Sequence, residues 1–167
     1  TLSQVCWERR QWERSAGLLA NFLQESPDSQ KVRLAYARIL ARVGEHDRAL
    51  AEFRRLEREL GMERLLSVPG ATSDYLEVLI QAAFSGSGGS EARSAAEDAL
   101  RRYGDRLPEP QRISAEARLK AANGDTAGAQ AVLDDALKRQ PEALGLWAAK
   151  VAVQVGSGDV EAAAATA

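Results

Sequence analysis

One histidine and one cysteine are the only side chains of their kind in 167 residues. Neither has the company its chemistry needs. A thiol becomes a nucleophile beside a base within hydrogen-bond reach, and Cys6 and His46 stand 40 residues apart in different helix pairs. A soft-metal site needs three or four His, Cys or carboxylate ligands together. His46 sits instead in the charged run Gly44-Glu45-His46-Asp47, with no His or Cys companion. It reads as a surface residue of a turn, and Cys6 as an inert, buried thiol in an apolar register. The run Gly86-Ser87-Gly88-Gly89 ahead of a helix could offer backbone N–H groups to a phosphate. The Lys-Ser/Thr and the preceding strand of a phosphate loop are both missing, so it reads as a flexible turn. No catalytic residue, metal ligand or cofactor site is predicted.

Composition narrows the rest. The formal net charge is -2, which gives no pull toward nucleic acid or an anionic membrane surface. A base-reading helical repeat, which needs a basic groove, is disfavoured on the same ground. One cysteine excludes an internal disulfide framework. No apolar run reaches the length of a membrane span. Hydrophobic residues make up 45% of the chain and aromatics only 5%, so much of the apolar content is alanine, the best helix former. Lysine occurs only at Lys31, Lys120, Lys138 and Lys150, and arginine supplies the other basic residues. This skew, with Ala and Gly, points to a GC-rich bacterial genome. The chain starts without Met or a signal peptide, begins inside one repeat and ends inside another, and reads as a fragment.

The elements that would position any site are helices. Between Asp28 and Gly61, Val32, Tyr36, Ala37, Leu40 and Val43 follow helical spacing. Gly44 to Asp47 interrupts it, and Ala49, Leu50, Phe53, Leu56 and Leu60 resume it. That is an antiparallel helix pair, and neither helix can bury its stripe alone. The pattern recurs. Leu2, Ser3, Cys6, Ser15, Leu19 and Phe22 lie 34 residues before Tyr36, Ala37, Leu40, Ala49, Phe53 and Leu56, and Gly124-Asp125 returns 34 residues later as Gly158-Asp159.

A 34-residue helix-turn-helix period resembles the tetratricopeptide repeat. Tyr36-Ala37, Ala49, Phe53 and Leu56 match its pattern in one repeat. Ala129, Leu133, Ala136, Leu137 and Pro141 match it in another, and Pro27 closes the first. The resemblance implies an all-α, right-handed superhelical solenoid of antiparallel helix pairs. It would form a single helical-repeat domain over residues 1–167, with about five pairs at 1–27, 28–61, 72–104, 108–141 and 142–167. The first pair is read as a helix to Arg10 and a second from Gln11 to Glu25, with Trp7 and Trp12 flanking the turn. The third is irregular, since Ala49 to Ala92 spans 43 residues, and the extra ones are assigned to the Met62–Ala71 connection and the Gly-rich turn.

The resemblance also implies a function. In this family partner peptides or helices bind a concave groove lined by first helices. The family frame places Lys31, Leu34, Arg38 and Arg42 there in the second repeat, and Gln111, Ser114 and Arg118 in the fourth. Arg38 and Arg118 stand where the family's chaperone-tail clamp has Asn, so that clamp is not expected. Taken strictly, the frame also puts Glu116, Lys120, Lys150 and Gln154 in the core, which is costly for unpaired charges. Slipping these first helices by one residue turns Ala115, Leu119, Leu146, Ala149 and Val153 inward. It rotates Ile113, Ala117, Trp147 and Val151 toward the groove, where Trp147 is either an anchor for the partner or packed between repeats, its exposure deciding which. The expected partner-binding set is therefore Lys31, Leu34, Arg38, Arg42, Ile113, Ser114, Arg118 and Trp147. The chain is expected to be a non-catalytic protein-interaction scaffold. Its Arg- and Ala-rich character resembles repeats of bacterial envelope machines of the exopolysaccharide-export, pilus-assembly or protease-adaptor type, favouring a periplasmic or envelope setting over a cytoplasmic one. The competing reading is a regulatory or substrate-docking domain of a larger enzyme.

Overall fold

The computed structural model describes residues 2–85 and 89–166, and the side chains of 10–84 and 89–166. Cys6, Trp7 and the Gly86-Ser87-Gly88 segment, singled out above, lie outside the described side chains or residues. All regular structure among the described residues is helical. The helices are α1 Leu2–Glu25, α2 Gln30–Val43, α3 His46–Leu60, α4 Met62–Leu66, α5 Ala71–Ser85, α6 Gly89–Tyr103, α7 Glu109–Ala122, α8 Thr126–Arg139, α9 Leu144–Gly156 and α10 Val160–Thr166, with a 3-10 turn at Gly104–Arg106. The chain divides into two compact units, residues 1–78 and 79–167, with the boundary inside α5.

The turns inside three hairpins are built alike. Gly44, Gly124 and Gly158 take φ of 87°, 89° and 83°, a left-handed conformation that a side chain would strain. The N–H of the next residue reaches back to close the preceding helix. Glu45 donates to the Leu40 carbonyl, Asp125 to that of Lys120 and Asp159 to that of Gln154. The acidic residue then starts the second helix. Asp125 accepts from the Gly128 N–H at 2.9 Å, and Asp159 from the Ala162 N–H at 3.1 Å, satisfying amides the helix itself leaves unpaired. The longer Glu45 makes no such bond and pairs with Arg48 instead.

In the first unit α2 packs against both α1 and α3, and α4 folds against α3. Its core is Tyr36, Ala37 and Leu40 of α2, Ala49, Phe53 and Leu56 of α3, and Leu65, Leu66 and Leu76 beyond them. The expected break near Gln11 does not occur. α1 runs unbroken for 24 residues, because Leu2 to Ala16 contains no Gly or Pro to stop it. Residues 1–27 therefore supply one helix, and Trp12 stands on its exposed side under the Arg42 guanidinium, 5.0 Å from the ring centre.

In the second unit one cluster joins α7, α8 and α9. It comprises Ile113, Ala117, Ala129, Leu133, Ala136, Leu137, Leu146, Ala149 and Val153. The one-residue slip describes α9, whose Leu146, Ala149 and Val153 are in this core; on α7 Ala115 and Leu119 are buried outside the cluster and Lys120 is exposed. Lys150 lies at the edge and pairs with Asp134 at 2.7 Å. Gln154 is buried all the same, and its Oε1 has no hydrogen-bond partner. Ile113 and Ala117 are part of the core and do not face a groove. α7 packs against α6 as well as α8 and α9, so more than one of its stripes is covered.

Ala49 and Ala129 are both fully buried. Ala129 faces α7 and α9 side chains in a closed cluster, so a larger residue overpacks it. Ala129→Leu is expected to cost about 1–3 kcal/mol, read as a lowered thermal midpoint. An unchanged midpoint would show that the site has room the structure does not allow.

Candidate functional site

α5, α7 and α9 share an open groove in the second unit. Its volume is about 550 Å³, and it is lined by Gln81 and Phe84 of α5, Ser114 and Arg118 of α7, and Gly145, Ala148, Ala149, Val151, Ala152, Val155 and Gly156 of α9. Each helix contributes for a local reason. On α9, Leu146, Ala149 and Val153 point into the core, which leaves Gly145, Ala148, Ala152 and Gly156, at steps of three or four, along the groove wall. These residues are small enough for a partner backbone to approach closely. On α7, Ser114 and Arg118 are four residues apart and so sit one above the other.

Phe84 closes one end. Its ring lies against Gly156 so tightly that a Cβ there would come within 2.7 Å of the Phe84 Cζ. The Arg118 guanidinium lies 6.0 Å from the same ring centre, an attraction of a cation for the ring face. Arg118 is only 8% exposed. Among the described lining residues it is the one charged side chain, with the amide of Gln81 and the hydroxyl of Ser114 as further polar groups.

The sequence-expected residues are distributed as follows. Ser114 and Arg118 line this groove together, and Val151 joins them. Trp147 does not line it. Trp147 is half-buried against the α7–α8–α9 core, donates its indole N–H to the Pro141 carbonyl at 2.8 Å, and lies beneath Lys150. Ile113 is in that core. Lys31, Leu34, Arg38 and Arg42 all belong to α2 in the first unit. Leu34 is buried there, while Lys31 and Arg42 are exposed. Arg38 is engaged within its own chain, with its Nε 2.5 Å from Asp74 and its Nη2 2.7 Å from the Pro69 carbonyl. That clamp fixes the start of α5, and it leaves Gly70, at φ 80°, little room for a side chain.

Sequence reasoning missed Gln81, Phe84 and the small residues of α9. The signal for the latter is the G-x2-A-x3-A-x3-G spacing from Gly145 to Gly156, a helix face too small to be a core stripe. Nothing local marks Gln81 or Phe84.

His46 opens α3 and is half-buried, with its Nδ1 lacking a hydrogen-bond partner. Among the described residues no three His, Cys, Asp or Glu side chains gather as a metal site, and no helix is long and apolar enough to cross a membrane. The hydrogen bond from Arg48 to Glu45 raises that guanidinium's pKa above its already high value.

Residues 7–65, from α1 into α4, match the tetratricopeptide-repeat family model. The match supports a tetratricopeptide-repeat assignment for that segment. Comparison with curated proteins and with solved structures returns no match. The α7–α8 hairpin, outside the matched segment, repeats the construction of α2–α3: a left-handed glycine, an acidic residue, then a second helix with a buried Ala on its inner face. Tetratricopeptide repeats generally mediate protein–protein interaction and are typically non-catalytic scaffolds.

Proposed function

We propose that the α5–α7–α9 groove receives a peptide or helix of a partner protein, and that the chain is a scaffold without catalytic chemistry of its own. The observation that carries this reading is the groove wall itself. First helices supply a run of small apolar residues on α9 facing Ser114 and Arg118 on α7. An apolar stripe with a few fixed polar groups suits an amphipathic segment, whose apolar side chains give affinity and whose polar groups set register. Ser114, Arg118 and Val151 are the proposed contacts. Lys31 and Arg42 are proposed as exposed contacts on the first unit. Trp147, tied to Pro141, is proposed as a support for α9 with part of its ring at the surface.

Affinity capture with three forms of the chain tests this reading. Ala148 is exposed on the groove wall, so Ala148→Arg obstructs the groove without disturbing the core. A partner retained by the unsubstituted chain and by Asp135→Arg, on the outer side of α8, is expected to bind Ala148→Arg at least about tenfold more weakly, a loss of about 1.4 kcal/mol. Equal retention by all three forms would overturn the groove reading. We further propose a bacterial envelope assembly of the exopolysaccharide-export, pilus or protease-adaptor type as the setting. Its support is the Arg- and Ala-rich, Lys-poor composition, and recovery of the captured partner from the envelope fraction tests it.

A further inference from the structure

A second cleft, in the first unit, differs in character from the groove. It lies among α1, α2 and α3, has a volume of about 310 Å³, and brings Arg33, Arg48 and Arg55 together with Tyr36, Glu52, Gln24, Ala20 and Leu23. The sequence pattern explains the convergence. Arg48, Glu52 and Arg55 stand at i, i+4 and i+7 on one face of α3, and Arg33 and Tyr36 stand three residues apart on the facing side of α2.

The floor is Arg33. Its side chain is 3% exposed, Nη1 lies 2.7 Å from Glu52, and Nη2 donates to the Pro27 carbonyl. Its buried Nε–H has no acceptor. Glu52 and the Pro27 carbonyl hold Arg33 in place, so the guanidiniums at the mouth that can turn toward a ligand are Arg48 and Arg55. Their carboxylate partners lie on their own helix or its cap, and Arg48 also reaches Tyr36 on α2. Arg48 pairs with Glu45 and donates to the Tyr36 hydroxyl at 2.5 Å. Arg55 uses its Nε alone, on Glu59 at 2.9 Å. Exposed pairs of this kind are weak, so they are readily exchanged. The Tyr36 hydroxyl proton, the Gln24 amide and the terminal nitrogens of Arg55 make no hydrogen bond to the described residues.

We propose that this cleft binds a small phosphate monoester, its dianionic head bridging Arg48 and Arg55 and accepting from Tyr36, its short apolar stem against Ala20 and Leu23. The charge count selects phosphate over carboxylate. A single carboxylate would replace Glu45 or Glu59 like for like, whereas a dianion with three terminal oxygens engages both guanidiniums and the hydroxyl at once. The volume is at the lower end for small-molecule sites, which suits a ligand little larger than its head group. This site is separate from the α5–α7–α9 groove and does not depend on its reading.

Isothermal titration with phenyl phosphate and with benzoate tests the proposal. Phenyl phosphate is expected to bind saturably, and benzoate at least about tenfold more weakly. Binding should tighten as pH rises through the second phosphate ionisation near 6, because the dianion is the bound form. Arg48→Gln, at an exposed position, and Arg55→Gln, at a half-buried one, should each weaken phenyl phosphate about tenfold or more, the loss of one charge-assisted hydrogen bond. Arg101→Gln, on α6, should bind as the unsubstituted chain does. Absence of saturable binding, equal affinity for benzoate, or unchanged affinity in both Arg48→Gln and Arg55→Gln would overturn it.

Discussion

Phe53→Ala is expected to destabilise the chain by about 3–5 kcal/mol, the range for removing a fully buried aromatic ring. Phe53 is 0% exposed, at the centre of the inner face of α3 between Ala49 and Leu56. Its ring meets Tyr75 of α5 edge to face at 5.7 Å, so the loss includes an aromatic pair as well as buried area. The surrounding helices are fixed by their own turns and cannot collapse into the space. A urea titration should show a lower midpoint, with Phe53→Leu recovering much of the loss. A Phe53→Ala midpoint within about 0.5 kcal/mol of the unsubstituted protein, the range of neutral surface changes, would mean that Phe53 is not a core residue.

Glu52→Ala should cost about 2–4 kcal/mol by a different route. Glu52 is the carboxylate opposite Arg33, and Arg33 is almost wholly enclosed. Removing Glu52 leaves a buried guanidinium without its carboxylate, which costs more than the pair itself contributes. Arg33 keeps its bond to the Pro27 carbonyl and Glu52 is partly exposed, so the effect falls below the extreme for a fully buried pair. The double substitution Arg33→Met with Glu52→Leu removes both charges and is expected to restore most of the stability. A double variant no more stable than Glu52→Ala would show that the loss is one of packing and not of an unpaired charge.

Much of the fold was legible because its determinants are local. A glycine at positive φ followed by an acidic cap is a short signal, and it marks the turns at Gly44, Gly124 and Gly158 directly. Ala49 and Ala129 were legible by recurrence. The break expected in α1 had no such local cause. It followed the family frame, while the residues themselves continue a helix. The groove was legible in part, because the family frame places Ser114 and Arg118 on the concave face and the one-residue slip adds Val151. The family frame puts Leu34 outward and the slip puts Ile113 outward, each from the spacing of one helix face. That spacing cannot tell how many sides of a helix are covered, and both of these residues are buried. The slip turns Trp147 toward the groove, but it packs against the core with its indole N–H committed to Pro141. Phe84 could not be found, since its role depends on the close approach of Gly156, some seventy residues away in sequence.

The most direct test of the docking groove is photo-crosslinking from its wall. With benzoylphenylalanine in place of Ala152, which lines the groove, a captured partner should crosslink through one short segment. The same probe in place of Asp135, exposed on α8, should give no crosslink. Crosslinking from position 135 with none from position 152 would contradict the proposed site.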